Sequence, residues 1–185
     1  MSTKRAAKLA IVHDTEERQT SSRTQTSNAL RLKIDHLKTF TPLTDNQKLF
    51  YDAYKRGDYF MALHGVAGTG KTFIAVYKAL EEVLDKNNPF NKIIIVDEMQ
   101  NMTFEEIDTV MTRVGYRSKI IWCGDYRQTD LNKKKSDVSG ILKFFDIAHH
   151  MHAFTRIEFL PADIVRSSLV KDYIIAKLQH EDSND

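Results

Sequence analysis

The feature that most restricts the fold of this chain is a glycine-rich stretch between an apolar segment and an amphipathic one. Residues 65–72 read Gly-Val-Ala-Gly-Thr-Gly-Lys-Thr and match the pattern G-x-x-x-x-G-K-[ST] in full. Residues 59–64 before it are predicted to form a strand, and residues 71–84 have the apolar spacing of a helix. This order of strand, glycine turn and helix is the context that the pattern requires. The sequence therefore predicts a phosphate-binding loop.

Each part of this loop has a predicted role in holding a nucleoside triphosphate. Glycine lets backbone N–H groups turn toward phosphate oxygens, and the following helix directs its unpaired N–H groups at the same anion. Lys71 is predicted to reach the β and γ phosphates, and the Thr72 hydroxyl to bind Mg²⁺. ATP and Mg²⁺ are the expected cofactors. The predicted nucleotide-binding residues of the loop are Gly65, Val66, Ala67, Gly68, Thr69, Gly70, Lys71 and Thr72.

A second apolar run ends in two carboxylates. Residues 93–96 form a β-branched run that is too short for a helix, and Asp97 and Glu98 follow it directly. Asp97 is predicted to hold Mg²⁺ through water, which leaves Glu98 free to orient and deprotonate a water molecule. The alternative is a strand that ends in solvated acids. Because the chain also has a complete phosphate loop, ATP hydrolysis is favoured over simple storage of the nucleotide.

A third apolar run, residues 119–123, is followed by Gly124, Asp125 and Gln128. Neighbouring parallel strands bring their carboxyl ends to the same crevice. Asp125 and Gln128 are therefore expected beside the phosphates, where Gln128 would sense the γ-phosphate. A surface turn that carries Gly-Asp is the alternative.

From residue 42 onward, predicted helices alternate with these short strands. This alternation predicts an α/β fold with a mostly parallel sheet flanked by helices. Thr103 and Glu106 form a capping-box pair that begins one helix, and Pro161 and Asp163 precede the last one. The other helices are predicted at residues 45–55 and 138–148, and a further strand at 156–159. The last helix is predicted to bury a stripe made of Ile164, Leu169, Val170, Tyr173, Ile174 and Leu178.

Composition adds limits on partners and location. The net charge of +2 gives no global argument for binding nucleic acid or a membrane. The single cysteine, Cys123, lies in an apolar run and is expected in the core of a protein from a reducing compartment. No stretch approaches the roughly 18 to 20 apolar residues that a spanning helix needs. We therefore expect a soluble, cytoplasmic protein with no membrane partner.

The two ends of the chain differ in composition from its middle. Residues 1–41 are rich in Lys, Arg, Ser, Thr and Gln and are predicted to be a flexible basic arm, with a helical fragment around residues 29–37. Residues 42–180 form the predicted domain, and residues 181–185 a disordered tail. The arm has two interpretations, a solvated tail or a segment that touches phosphate backbones.

Taken together, these motifs resemble the PhoH-like ATPases, relatives of superfamily-one helicases with a single RecA-like motor domain. The resemblance covers most of the chain from residue 42, and it implies a phage-encoded member of the family. It implies a RecA-like P-loop NTPase fold. The matching segments are residues 42–47, the phosphate loop, residues 96–103, Gly124 with Asp125 and Gln128, and residues 163–170.

The resemblance implies roles that spacing alone does not. Gln47 would hydrogen-bond the adenine, so that ATP is preferred over GTP. Arg166 would act as an arginine finger that stabilises charge on the transferred phosphoryl group, with an ordinary surface arginine as the alternative. A finger that acts in trans requires an oligomer, and the resemblance implies a homo-oligomer, with a hexamer as in ring-forming members.

Three functions follow as alternatives. The first is an ATPase coupled to RNA or single-stranded DNA, and the second is a nucleotide-dependent assembly module with little turnover. A small-molecule kinase is the third, although Asp97-Glu98 and the Gly-Asp-x-x-Gln element suit hydrolysis better than transfer to a hydroxyl group.

The chain departs from the family pattern between the phosphate loop and Asp97. Family members carry a further strand and a substantial segment there, with groups expected to meet single-stranded nucleic acid. Here only residues 73–96 separate Thr72 from Asp97. Either this segment is deleted or two pieces are joined near Asn91 and Lys92. The nucleotide chemistry does not need the segment, whereas translocation along nucleic acid does.

Overall fold

The computed structural model describes residues 8–13, 37–85, 90, 92–125 and 135–183. The predicted elements between residues 45 and 159 are all present, with ends that differ from the predictions by a few residues. Short 3-10 helices lie at Met99–Asn101 and Pro161–Asp163. The strands and α-helices are β1 (Lys8–His13), α1 (Asp45–Arg56), β2 (Phe60–Gly65), α2 (Lys71–Leu84), β3 (Lys92–Asp97), α3 (Phe104–Met111), β4 (Ser118–Gly124), α4 (Lys135–His149), β5 (Phe154–Phe159) and α5 (Ser168–Asp182).

The described strands form one sheet in the order β1-β3-β4-β2-β5. The strands β3, β4, β2 and β5 are parallel, and β1 pairs antiparallel with β3 at the edge. Parallel strands of one sheet need long crossover connections. Here α2 connects β2 to β3, α3 connects β3 to β4, and α4 lies between β4 and β5. The predicted α/β fold with a mostly parallel sheet flanked by helices is confirmed. The strand that leads into the phosphate loop, β2, is a central one.

Alternate residues of the strands face two separate helical layers. In β2, Met61 and Leu63 pack with side chains of α1 and α2, whereas Phe60 and Ala62 pack with side chains of α3 and α4. This alternation is the period of two that a strand imposes. The sheet is therefore the middle of three layers. Cys123 in β4 is fully buried, as predicted, and burial raises the pKa of its thiol.

Two local predictions can be compared with the helices directly. Thr103 and Glu106 form the predicted capping box, because the Thr103 N–H donates to Glu106 Oε2 at 2.7 Å and the Glu106 N–H donates to Thr103 Oγ1 at 3.2 Å. The buried stripe predicted for the last helix is wrong for α5, where Leu169 is 79% exposed and Tyr173 69% exposed. Ile164 is buried, but it lies before the helix. Apolar periodicity identifies a helix face but not what covers it.

The strand β1 lies within the predicted flexible arm. Its register places Lys8 opposite Asp97 and His13 opposite Lys92. It therefore covers the edge of β3, on the side away from β4, with backbone hydrogen bonds. The helical fragment predicted around residues 29–37 lies outside the described residues except at its last position. At the other end, α5 runs two residues into the predicted 181–185 tail.

Within the described ranges, each helix is too short or too polar to span a bilayer.

Candidate functional site

The phosphate loop connects the end of β2 to the start of α2. Gly65 has a φ of 114° and Gly68 a φ of 77°, which are conformations that side chains with a Cβ rarely adopt. Gly70 caps α2 without a side-chain hydrogen bond, so the first-turn N–H groups of α2 have no cap side chain. The positive end of the helix dipole faces the loop. The result is a backbone cradle that suits an anion.

The last residue of β5 and the chain that follows it hold the loop through two backbone hydrogen bonds. The Val66 N–H donates to the Phe159 carbonyl at 2.9 Å, and the Val165 N–H donates to the Gly68 carbonyl at 3.1 Å. The fit at the first contact is tight, because a Cβ on Gly65 would lie 2.2 Å from the Phe159 oxygen. Glycine at this position is therefore required by the close approach of two backbone segments as well as by φ.

Lys71, the first residue of α2, turns its ammonium group toward the loop. The side chain is 8% exposed, and Nζ donates to the carbonyls of Gly65 at 2.9 Å and Val66 at 2.7 Å. Burial lowers the pKa of Lys71, while the negative charges of Asp125 and Asp97 act in the opposite direction. The lysine and the acidic residues predicted for the site are thus near enough to interact.

Thr72 and Asp97 are in direct contact. The Thr72 hydroxyl donates to Asp97 Oδ1 at 2.7 Å. Hydroxyl and carboxylate oxygens are ligands that Mg²⁺ prefers, and Mg²⁺ usually takes only one or two carboxylates together with phosphate and water. This pair of oxygens fits the predicted Mg²⁺ site.

Glu98 is tied to the end of β4 through Gln100. Gln100 Nε2 donates to Glu98 Oε2 at 2.7 Å, and Gln100 Oε1 accepts from the Asp125 N–H at 3.0 Å. Gln100 is 8% exposed. A Cβ on Gly124 would lie 2.4 Å from Met99 Cγ and 2.7 Å from Gln100 Oε1, so the two strand ends are closely packed. Sequence reasoning assigns no role to Gln100, and its signals are a position two residues after Glu98 and its place in the matching segment 96–103.

Gln47 lies beneath the loop and is 1% exposed. Its Oε1 accepts from the Leu43 N–H at 2.8 Å, and its Nε2 donates to the Thr69 carbonyl at 2.9 Å. Both ends of the amide therefore bind backbone, and Gln47 helps to hold the loop. Its contact with adenine stays a prediction.

Asp163 joins the start of α1 to the turn after β5. Its Oδ2 accepts from Asn46 Nδ2 at 2.7 Å and from the Leu160 N–H at 2.8 Å. Burial alone would raise the pKa of Asp163, but hydrogen bonds from Thr44, Asn46 and Leu160 lower it overall. Sequence reasoning places Asp163 before the last helix and in the matching segment 163–170, whereas the structure makes it a connection between two segments that support the loop.

Arg166 lies against the loop of its own chain. A Cβ on Gly68 would lie 3.2 Å from Arg166 Cγ and 3.7 Å from its Nε. The structure therefore brings the loop, Gln47, Asp97, Glu98 and Arg166 to one end of the sheet. Gln128 lies outside the described residues, so its place beside the γ-phosphate stays a prediction.

Comparisons with known proteins match the resemblance seen in the motifs. The sequence profile of the family PhoH-like protein matches residues 87–177. A PhoH-like protein of Mycobacterium leprae is 34% identical over 89 residues, which are 48% of this chain and 25% of that protein. Protein PhoH2 of Bacillus subtilis is 37% identical over 89 residues, 48% of this chain and 19% of that protein. A solved chain titled "Structure of C. elegans PCH-2" is 16% identical, with a TM-score of 0.34 over 70% of this chain and 36% of that chain.

These comparisons also bear on length. The chain spans 25%, 19% and 60% of the M. leprae, B. subtilis and Mycobacterium tuberculosis relatives. The M. tuberculosis PhoH-like protein is 24% identical over an alignment of 213 positions. This alignment includes 78% of the 185 residues of this chain, or about 144, so about 69 aligned positions of the relative have no counterpart here. The resemblance to PhoH-like proteins is thus confirmed for residues 87–177, whereas phage origin and kinship with helicases stay predictions.

Proposed function

We propose that the chain is a PhoH-like ATPase that binds ATP with Mg²⁺ and hydrolyses it. The observation that carries the proposal is the 2.7 Å hydrogen bond between Thr72 and Asp97. It supports hydrolysis because it joins the last residue of a complete phosphate loop to the first of two adjacent acidic residues. Asp97 is the last residue of β3, and the phosphate loop follows the carboxyl end of β2, at the edge where α/β sheets bind their ligands.

The residues at this edge suit the separate parts of the reaction. The loop N–H groups and Lys71 bind the β and γ phosphates. Thr72 and Asp97 would hold Mg²⁺, which when bound neutralises charge on the phosphates. Glu98 orients a water molecule and accepts its proton while the water oxygen bonds to the γ-phosphorus. The bond between that phosphorus and the bridging oxygen breaks, and ADP leaves with the electron pair.

Arg166 acts on the same reaction from the β5 side. Its side chain lies against Gly68 of its own chain, which supports a finger that works in cis. Its guanidinium group stabilises the charge that develops on the transferred phosphoryl group, an effect worth about 10³- to 10⁵-fold in rate. The resemblance also leads us to propose that Gln47 selects adenine, which requires its amide to contact the base in addition to the backbone of Leu43 and Thr69. The resemblance to ring-forming PhoH-like ATPases also leads us to propose a homo-oligomer, with a hexamer as its form.

We further propose that RNA or single-stranded DNA stimulates this turnover, and the support for that step is the PhoH-like resemblance. The test is ATP turnover by the whole chain with and without Mg²⁺, and with and without single strands, beside a Lys71→Ala control. We expect turnover that needs Mg²⁺, rises with single strands and is lost in Lys71→Ala. No turnover in any condition overturns the ATPase. Turnover that ignores single strands overturns only the coupling.

A nucleotide-dependent assembly module is the second candidate. The observation that favours it is the exposed apolar surface of α5, where Leu169 and Tyr173 lie close in sequence to Arg166. Light scattering with and without ATP separates the two candidates. The assembly module predicts a change of mass with ATP and little turnover, whereas the ATPase predicts turnover that Arg166→Ala lowers more than it alters mass.

A further inference from the structure

Gln100 lies within the matching segment 96–103, but neither the motif pattern nor the comparisons assign it a role. We propose that Gln100 is a positioning residue for hydrolysis, which fixes the Glu98 carboxylate by tying it to the backbone at the end of β4. The proposal rests on the proposed function, because it concerns how Glu98 performs its step.

The chemistry of the two contacts requires an amide. An ionised carboxylate such as that of Glu98 only accepts hydrogen bonds, and the N–H of Asp125 only donates. Gln100 Nε2 donates to the Glu98 carboxylate at 2.7 Å, and Gln100 Oε1 accepts from the Asp125 N–H at 3.0 Å. The two partners therefore also determine which end of the amide is nitrogen and which is oxygen.

The surroundings prevent the amide of Gln100 from swinging away. Gln100 belongs to the 3-10 helix Met99–Asn101, and Met99 is only 1% exposed. Backbone hydrogen bonds close this turn, from the Asn101 N–H to the Glu98 carbonyl at 2.9 Å and from the Met102 N–H to the Met99 carbonyl at 3.0 Å. Gly124 packs against the other side, with no space for a Cβ beside Gln100 Oε1.

The backbone of Glu98 is itself in a demanding conformation. Its φ of 58° is in the left-handed region, which a residue with a Cβ rarely adopts. Such strained residues persist where the surroundings hold them, and they cluster at active sites. The tie from Gln100 is one of the contacts that hold Glu98 there.

This arrangement has a consequence for the reaction. Gln100 holds one carboxylate oxygen, Oε2, which leaves Oε1 to bind and deprotonate the water. Because the anchor is the N–H of Asp125, the direction of the carboxylate depends on the end of β4 as well as on the turn after β3. A misplacement of about 1 Å at a reacting group can cost about 100-fold in rate.

The test compares Gln100→Ala and Gln100→Glu with a matched control, Gln179→Ala, which removes an exposed glutamine from α5. Gln100→Glu keeps the shape and the acceptor for Asp125 N–H but replaces the donor to Glu98 with a second carboxylate. We expect kcat for ATP to fall about 10- to 100-fold in both Gln100 variants, with an unchanged KM. Gln179→Ala leaves kcat unchanged.

A double-mutant cycle separates positioning from a general structural role. In a Glu98→Gln background, Gln100→Ala is expected to lower the residual kcat less than twofold, because its target is gone. An equal fold-change in both backgrounds overturns the proposal. So does an unchanged kcat in Gln100→Glu, which tests the proposal if Gln100→Ala does not fold. Absence of turnover in the wild-type chain refutes the proposed function instead.

Discussion

The two sides of the candidate site are held by different kinds of contact. On the β5 side, backbone meets backbone, as in the hydrogen bonds from Val66 to Phe159 and from Val165 to Gly68. The glycine at position 65 has no space for a Cβ. This side is therefore defined by the course of the chain, and a side chain added there disturbs the fold before it disturbs chemistry.

On the β3 side, side chains make the decisive contacts. Thr72 donates to Asp97, and Gln100 donates to Glu98. Removing one of these groups leaves the backbone in place, so it changes chemistry before it changes the fold. The contrast predicts a division of mutational effects, in which the β5 side loses stability and the β3 side loses turnover.

The largest loss of stability is expected for Gly65→Ala. The new Cβ meets the Phe159 oxygen at 2.2 Å, and the residue must keep a φ of 114°. Strain and overpacking together lower the free energy of unfolding by about 4 kcal/mol, measured by urea unfolding. Gly57→Ala is the matched control, because Gly57 has a φ of 89° with nothing within 4 Å of a Cβ. Gly57→Ala therefore measures the cost of a positive φ alone, which is about 1 to 2 kcal/mol of stability. Equal losses in the two variants would refute the tight fit.

An intermediate loss is expected for Asp163→Asn. The carboxylate accepts charge-assisted hydrogen bonds from Asn46 and Leu160, and their weakening costs about 1.5 to 3 kcal/mol at neutral pH.

The pH dependence of this loss follows from the lowered pKa of folded Asp163. Its contribution is fully present above the unfolded pKa of about 4 and is lost as pH falls through the folded pKa. Urea unfolding from pH 7 downward should show the difference between wild type and Asp163→Asn shrinking below about pH 4. A stability difference between wild type and Asp163→Asn that stays constant down to acid pH would show that the charge of Asp163 does not stabilise the fold.

The smallest loss of stability is expected for Thr72→Val on the β3 side. The methyl group keeps the volume, so the free energy of unfolding falls by about 1 kcal/mol, the usual worth of one hydrogen bond. Turnover of ATP falls and needs more Mg²⁺, because Asp97 loses its neighbouring ligand. Turnover measured over a range of Mg²⁺ concentrations checks this. An unchanged Mg²⁺ dependence in Thr72→Val would show that Thr72 does not bind the metal.

Sequence was sufficient for the parts of the molecule that local pattern determines. The phosphate loop, the strand before Asp97 and the capping box at Thr103 follow from residues close together in the chain. The exposed face of α5 did not follow, because periodicity shows that Leu169 and Tyr173 share a face but not whether another element covers it. The strand Lys8–His13 depends on pairing with a β3 edge that is remote in sequence.

Gln100 shows the same limit within the site. Its bond to Glu98 is local, but its bond to Asp125 spans 25 residues. That second contact exists only because the sheet places β4 beside β3. A residue whose role needs both contacts cannot be assigned from either segment alone.

The central claim is that the phosphate loop binds ATP and that Glu98 is the base that hydrolyses it. Glu98→Gln tests it most directly, because the amide keeps the shape of the side chain but cannot act as a base. ATP binding and Mg²⁺-dependent turnover are measured on the same preparation. The account predicts that binding is retained and that turnover falls at least about 100-fold. Turnover at the wild-type rate, or loss of ATP binding together with turnover, would contradict it.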